Sequence, residues 1–152
     1  MKKVLITMFL IVGFINAIEL KKISFEEYLS NFDYVERGRM KIKTPEMLAL
    51  VENGEAVLVD IRFPEEYAIW HVKGAINIPI NELPKRFHEL PKDKLIITAC
   101  PHYDRSSMAR IFLSLQGFNA KYLSDGLLKT VDFLRGDNAK EYFDALQMKE
   151  KK

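Results

Sequence analysis

The sequence predicts a three-layer α/β/α domain in which helices cover both faces of a central, mostly parallel sheet. Two apolar runs, 56-AVLVDI-61 and 94-KLIITA-99, lack the polar alternation of half-exposed strands, as expected for strands buried on both faces. Helix signals lie before and after each run, and strands that alternate with helices favour a parallel sheet. The 152 residues are enough for one compact domain.

The first helices are marked by the residues at their ends. Ser24 is followed three residues later by Glu27, a capping-box pattern that predicts a short helix over 24–32, outside the main domain. Pro45 marks the start of the next helix and Gly54 its end, directly before the first apolar run.

The rest of the chain continues this alternation. The predicted elements are a helix at 64–69, a strand at 75–79, a helix at 81–90, the strand at 94–99, a helix at 105–116, a strand at 120–124, and helices near 127–134 and 138–150. Gly117 ends the helix before it, because glycine accommodates the left-handed conformation that terminates many helices. We expect the last helix to be an appendage with a frayed tail.

The N-terminus has the pattern of a secretory signal peptide. Lys2 and Lys3 precede the apolar run 4-VLITMFLIVGFI-15, and Ala17 is a small residue at the expected cleavage position. The run is shorter than the roughly 20 residues that a membrane span requires. We therefore expect a cleaved signal peptide and a periplasmic or secreted protein, with membrane association only if the segment stays uncleaved. An N-terminal anchor and a buried strand are the alternatives.

Composition argues against several classes of function. The net charge is +2, with 23 basic and 21 acidic residues, so no basic footprint for nucleic acid is present. One cysteine and three histidines, at positions 71, 88 and 102, show no metal-ligand spacing. The chain also has no glycine-rich phosphate loop. We expect neither a metal nor a cofactor.

The segment 100-CPHYDR-105 is the strongest candidate site. Cys100 follows the strand at 94–99, and ligands of open parallel sheets bind beyond the carboxyl ends of the strands. Backbone N–H groups and the dipole of the next helix should attract an anion there and favour the thiolate of Cys100. Arg105 adds a fixed positive charge. The alternative is that Cys100 is a small buried residue without chemistry.

Four motifs occur in order along the middle of the chain. They are 57-VLVDIRFPEEY-67, 71-HVKGAINIP-79, 100-CPHYDRS-106 and 115-LQGFNAKYLSDG-126. Together they resemble the signatures of single-domain rhodaneses, which are sulfurtransferases of the thiosulfate-sulfurtransferase type. The resemblance covers residues 42–134, which leaves a signal peptide at 1–17, a linker and short helix at 18–41, and a C-terminal helix and tail at 135–152.

The resemblance implies a rhodanese-like sheet of about five strands and a persulfide cycle on Cys100. The cysteine would take a sulfane sulfur from thiosulfate or another persulfide source and pass it to a thiol, to cyanide or to a protein partner. Phosphatases of the same fold have a loop that is one residue longer. The Cys-x4-Arg spacing of this chain therefore favours sulfur over phosphate.

The resemblance also implies the site residues, which lie in the loop or on its rim. The expected substrate-binding residues are Pro101, His102, Tyr103, Asp104, Arg105, Ser106 and Arg62, and the expected supporting residues are Asp60 and His71. For Arg62 a local ion pair is the alternative, and for Ser106 a hydrogen bond at the helix start. Pro101 has no N–H to donate, and Asp104 brings a negative charge close to the sulfur. An organic or protein persulfide is therefore as compatible with the loop as thiosulfate.

Two other classes of function remain open at this point. The chain could be a sulfur carrier or partner-binding module that does not turn over, or a redox protein whose Cys100 forms mixed disulfides with other proteins.

Overall fold

The central sheet contains five strands among residues 19–151, the part of the chain that this computed structural model describes. The strands are β1 (Lys41–Ile42), β2 (Ala56–Asp60), β3 (Ile76–Asn77), β4 (Leu95–Ala99) and β5 (Ala120–Leu123). Their order is β1-β5-β4-β2-β3, and every neighbouring pair is parallel. The predicted fold class is thereby confirmed. The expected signal peptide at 1–17 lies outside the described residues.

Eight α-helices surround the sheet in the described part of the chain. They are α1 (Phe25–Ser30), α2 (Tyr34–Arg39), α3 (Thr44–Asn53), α4 (Pro64–Ile69), α5 (Leu83–Arg86), α6 (Asp104–Leu115), α7 (Gly126–Phe133) and α8 (Asp137–Glu150), with a 3-10 turn at Phe87–Glu89. None of the helices described is long and apolar enough to cross a membrane.

Most predicted elements agree with the structure to within one or two residues. Ser24 caps α1 by accepting a hydrogen bond from the N–H of Glu27 at 3.0 Å, as the capping-box pattern predicts. The helix predicted at 81–90 is instead a single turn of α5 followed by the 3-10 turn. The elements α2 and β1 were not predicted, because a six-residue helix and a two-residue strand are too short to show a period.

Two hydrophobic clusters cover opposite faces of the sheet. Successive residues of a strand point to opposite faces, and accordingly Leu58 belongs to one cluster and Val59 to the other. The first cluster packs the sheet against α3, α7 and α8, and the second packs it against α5 and α6. Helices therefore cover both faces of the sheet, and a ligand is expected to bind at the edge where the strands end.

The N-terminal helices are fastened to the domain through Arg110 of α6. The Arg110 guanidinium donates to the hydroxyl of Tyr28 at 2.6 Å, to the carboxylate of Glu36 and to the carbonyl of Ala120 at 3.1 Å. Arg110 and Tyr28 are both buried. The segment expected to lie outside the main domain is thus attached to the helix that begins at the candidate site.

Helix α8 is part of the core and not an appendage. Tyr142 and Leu146 are buried in the cluster that α3 and α7 also cover. The Tyr142 hydroxyl donates to the carbonyl of Lys73 at 3.0 Å, and Nζ of Lys149 donates to the carbonyl of Val51 at 2.6 Å. The expectation of a frayed appendage failed because two apolar residues one turn apart are a weak sequence signal.

The packing of α8 predicts a difference between two substitutions on this helix. Leu146 is 9% exposed and Met148 is 66% exposed. We expect Leu146→Ala to lower the free energy of unfolding by about 2–4 kcal/mol, because it leaves a cavity. Met148→Ala should change it by less than about 0.5 kcal/mol. Urea denaturation measures both, and equal small effects would mean that α8 does not pack on the core.

Candidate active site

The loop that follows β4 is held by the first turn of α7. The N–H of Leu127 donates to the carbonyl of Cys100 at 2.9 Å, and the N–H of Leu128 donates to the carbonyl of Pro101 at 3.3 Å. Within the described residues, no N–H group from 102 to 106 donates to a backbone carbonyl. The first two carbonyls of the loop are therefore bound by α7, and the N–H groups of residues 102–106 are left to side chains or to a ligand.

Gly126 allows α7 to approach the loop closely. Its φ of 73° lies in the left-handed region. A Cβ at this position would stand less than 3.0 Å from the carbonyl oxygens of Pro101 and His102, which is closer than real Cβ atoms come to such atoms. Only glycine satisfies both the backbone conformation and the contact.

Cys100 is enclosed, with apolar neighbours on one side and polar atoms at its sulfur. Its exposed fraction is 0%, and it belongs to the cluster beneath α6. Its Sγ lies 3.5 Å from Oδ1 of Asp104 and 3.6 Å from Oγ of Ser106. A reagent can reach the sulfur only after a side chain at the loop moves.

The carboxylate of Asp104 lies beside the Cys100 sulfur at the start of α6. Interaction with the backbone N–H of Arg105 and a hydrogen bond from the Cys100 thiol lower the pKa of Asp104 below its ordinary value. Asp104 is therefore a permanent negative charge next to the sulfur at neutral pH.

Arg105 is paired with a carboxylate from another element. Its guanidinium donates to both oxygens of Glu66 on α4, at 2.7 and 2.9 Å. This pair raises the pKa of Arg105 and lowers the pKa of Glu66. Sequence reasoning missed Glu66, although it lies inside the first quoted motif. Its partner is 39 residues away, so no local spacing marks the pair.

Arg62 forms the local ion pair that the sequence left open as the alternative to a substrate contact. It is 1% exposed, and its guanidinium donates to the two oxygens of Asp60 at 3.0 and 2.7 Å and to the carbonyl of Trp70 at 2.7 Å. The Trp70 ring lies 4.1 Å from the guanidinium carbon. Because these groups occupy the guanidinium, its expected contact with substrate is not supported by the geometry. Arg62 and Asp60 together support the rim.

The remaining predicted residues divide between the loop and its support. Nδ1 of His71 lies 3.0 Å from the carbonyl oxygen of Tyr67, and the two rings stack at 4.0 Å, so His71 has the structural position expected for it. Ser106 is buried, and its hydroxyl donates to the carbonyl of Tyr103 at 3.1 Å. Pro101 is half-buried, whereas His102 and Tyr103 are exposed.

A cavity of about 450 Å³ adjoins the loop. His102 and Tyr103 line it from the loop, and Leu128 and Lys129 line it from α7. Cys100, Asp104 and Arg105 are not among the residues that line this cavity. Among the described residues, no group of three or more His, Cys, Asp or Glu side chains could hold a metal ion.

The sequence profile of the rhodanese-like domain matches residues 43–131, more than half of the chain. The chain belongs to the rhodanese-like family. This membership agrees with the parallel sheet of five strands and with the position of Cys100 at the carboxyl end of the central strand β4.

Relatives in the rhodanese-like family include sulfurtransferases. The chain is 34% identical over 82 residues to the thiosulfate sulfurtransferase GlpE of Stutzerimonas stutzeri, which covers 54% of this chain and 75% of that protein. It is 49% identical over 59 residues to an HTH-type transcriptional regulator of Mycobacterium tuberculosis, which covers 39% of this chain. The chain spans only about a quarter (26%) of that regulator.

Solved structures show the same rhodanese-like architecture. The human single-domain sulfurtransferase TSTD1 superposes with a TM-score of 0.54 at 27% identity, over 61% of this chain and 96% of that one. Reduced CoADR-RHD of Bacillus anthracis superposes with a TM-score of 0.56 at 34% identity, over 61% of this chain and 16% of that one.

The close contact at Gly126 predicts a large effect of one methyl group. Gly54 has nearly the same backbone conformation, with a φ of 76°, but its added Cβ would meet only the flexible end of Lys149 at 3.5 Å. We expect Gly54→Ala to lower the free energy of unfolding by about 1–2 kcal/mol from backbone strain. Gly126→Ala should cost about 1–3 kcal/mol more, because it also displaces the loop.

Urea denaturation of the two glycine variants measures this difference. Displacement of the loop should also speed alkylation of Cys100 by iodoacetamide in Gly126→Ala and not in Gly54→Ala. Equal destabilisation with unchanged alkylation in both variants would contradict the proposed role of Gly126.

Proposed function

We propose that this rhodanese-like chain is a sulfurtransferase that carries a sulfane sulfur as a persulfide on Cys100. One observation supports this most strongly. Cys100 ends the central strand, and its sulfur faces the polar groups at the start of α6 and not hydrocarbon alone. The relationship to a thiosulfate sulfurtransferase adds support from sequence.

The first half-reaction transfers one sulfur atom to the enzyme. The thiolate of Cys100 attacks the outer sulfur of the donor and forms a new S–S bond. The bond between that sulfur and the rest of the donor breaks, and its electron pair leaves with the donor residue. The N–H groups of residues 102–106, which donate to no backbone carbonyl, can then donate to the terminal sulfur of the persulfide once Asp104 has moved away.

The second half-reaction returns the enzyme to its starting state. A thiol or cyanide attacks the outer sulfur of the persulfide, and the electron pair of the S–S bond returns to Sγ of Cys100. No external oxidant or reductant is needed over the two steps. Because the sulfur has no exposed surface at rest, the Asp104 side chain must swing away in each half-reaction.

A sulfur carrier that does not turn over is the second candidate. Pro101 provides no N–H for the persulfide, and Asp104 places a negative charge beside it. Both features weaken stabilisation of the terminal sulfur anion. A carrier would form the persulfide but would release it only to a specific partner.

Mass spectrometry tests the proposed persulfide. Incubation of the folded, reduced protein with a sulfane donor should add one sulfur, about 32 Da, and Cys100→Ser should abolish the adduct because no nucleophile remains. Loss of the adduct on adding cyanide supports turnover, and its persistence supports the carrier. No adduct with thiosulfate or with any organic persulfide would reject both.

We also propose that the mature protein is periplasmic or secreted. The support is the sequence of residues 1–17, which has a basic start, an apolar run and a small residue at its end. The intact mass of the exported protein should correspond to a chain that begins at Ile18. A mass that still includes Met1 would contradict cleavage.

A further inference from the structure

Three charged side chains surround the entrance to Cys100. The carboxylate of Asp104 lies 3.5 Å from the sulfur, and Glu66 binds both terminal nitrogens of Arg105. Arg105 is therefore not a free cation. Taken together, these two carboxylates and one guanidinium give the entrance a local charge of about −1.

The N–H groups that would bind an anion also face the Asp104 carboxylate. This carboxylate begins α6, lies 3.5 Å from the sulfur and interacts with the N–H of Arg105, so that it stands where an anionic part of a donor would be bound. A dianionic donor would have to displace Asp104 from these groups and then remain beside it. A donor whose leaving group carries no negative charge neither competes with Asp104 for these N–H groups nor is repelled by its carboxylate.

We propose that Asp104 determines the donor class of this site, by covering the Cys100 sulfur with a carboxylate that excludes donors with anionic leaving groups. The substrate is then an organic persulfide whose leaving thiol carries no anionic group, and thiosulfate is a poor substrate. This inference rests on the proposed sulfurtransferase function and deepens it. Asp104 is a specificity-determining residue that must be displaced before sulfur is transferred.

The transfer balances without any further reactant. Written with the neutral persulfide, Cys100–SH and R–S–SH give Cys100–S–SH and R–SH. One S–S bond forms at Sγ, the S–S bond of the donor breaks, and the thiol proton ends on the leaving sulfur. With thiosulfate the leaving group is sulfite, whose charge develops next to the Asp104 carboxylate.

A matched pair of alkylating reagents reads the charge at the sulfur without any sulfur transfer. Iodoacetamide and iodoacetate are similar in size, and only iodoacetate is an anion. The measured quantity is the ratio of the alkylation rate constant with iodoacetamide to that with iodoacetate. At low ionic strength this ratio should be about tenfold larger for Cys100 of the wild type than for 2-mercaptoethanol, because one negative charge lies near the sulfur. Any change in the ionisation of Cys100 affects both reagents equally and cancels in the ratio.

Two variants make this measurement specific for Asp104. Asp104→Asn keeps the size and removes the charge, and its ratio should fall to within about threefold of that of 2-mercaptoethanol. Asp93→Asn makes the same change in net charge before β4, at the opposite end of the strand from Cys100. Its ratio should equal that of the wild type. Equal ratios in wild type and Asp104→Asn would overturn the inference.

Donors whose leaving groups differ in charge test the substrate class. The persulfides of cysteamine and of 3-mercaptopropionate carry a cation and an anion respectively, and thiosulfate is the dianion. We expect kcat/KM of the wild type to fall in that order. Asp104→Asn should raise kcat/KM for thiosulfate at least about tenfold and lower that for cysteamine persulfide, because the charge that repels the dianion attracts the cation.

The outcomes separate this inference from the proposed function. If thiosulfate is as good a donor as cysteamine persulfide in the wild type, the donor class is wrong although the sulfurtransferase proposal stands. If no donor modifies Cys100 in either protein, the proposed function fails. In that case the alkylation ratios still decide whether Asp104 screens the sulfur by charge.

Discussion

The candidate site depends on the contact between the first turn of α7 and the loop after β4. Two N–H groups of α7 bind the carbonyls of Cys100 and Pro101, and the backbone carbonyl of a peptide points away from the N–H groups beside it. Gly126 makes the contact possible, because any side chain there would collide with the loop. Helix α7 thus binds the first two carbonyls of the loop and leaves its N–H groups to the Asp104 carboxylate or to a ligand.

The electrostatics of the loop are set by side chains and not by the backbone alone. A helix N-terminus attracts anions, but Asp104 supplies one internally and Glu66 neutralises the nearby Arg105. The same fold can therefore present either an anion-binding loop or a loop that repels anions. Which of the two is present depends on a few residues whose pairing is visible only in three dimensions.

The sequence predicted the fold and the place of Cys100 at the end of β4. The two long apolar strands and the glycines after the helices carry strong local signals, and Cys100 has its place because it directly follows β4. The partners of the charged groups were not predictable. Glu66 and Arg105 are 39 residues apart, and Arg62 could equally have faced a ligand or Asp60.

The packing of the N-terminal and C-terminal segments was also not predictable from the sequence. Helix α1 buries only Tyr28 and α8 buries Tyr142 and Leu146, and these residues pack against parts of the domain far along the chain. A helix with one or two buried residues has a weak amphipathic period, so its sequence resembles that of a solvent-exposed segment. Both segments therefore had to be seen in place before they could be assigned to the domain.

The fastening of the N-terminal helices to Arg110 has a consequence for the order in which the molecule assembles. Tyr28 meets its arginine partner 82 residues later, and β1 pairs with β5 across a similar separation. During synthesis, α1 and β1 are made well before α6 and β5, which hold their distant partners. Closing such long loops is slow, so we expect α1, α2 and β1 to be among the last of the described elements to reach their native positions.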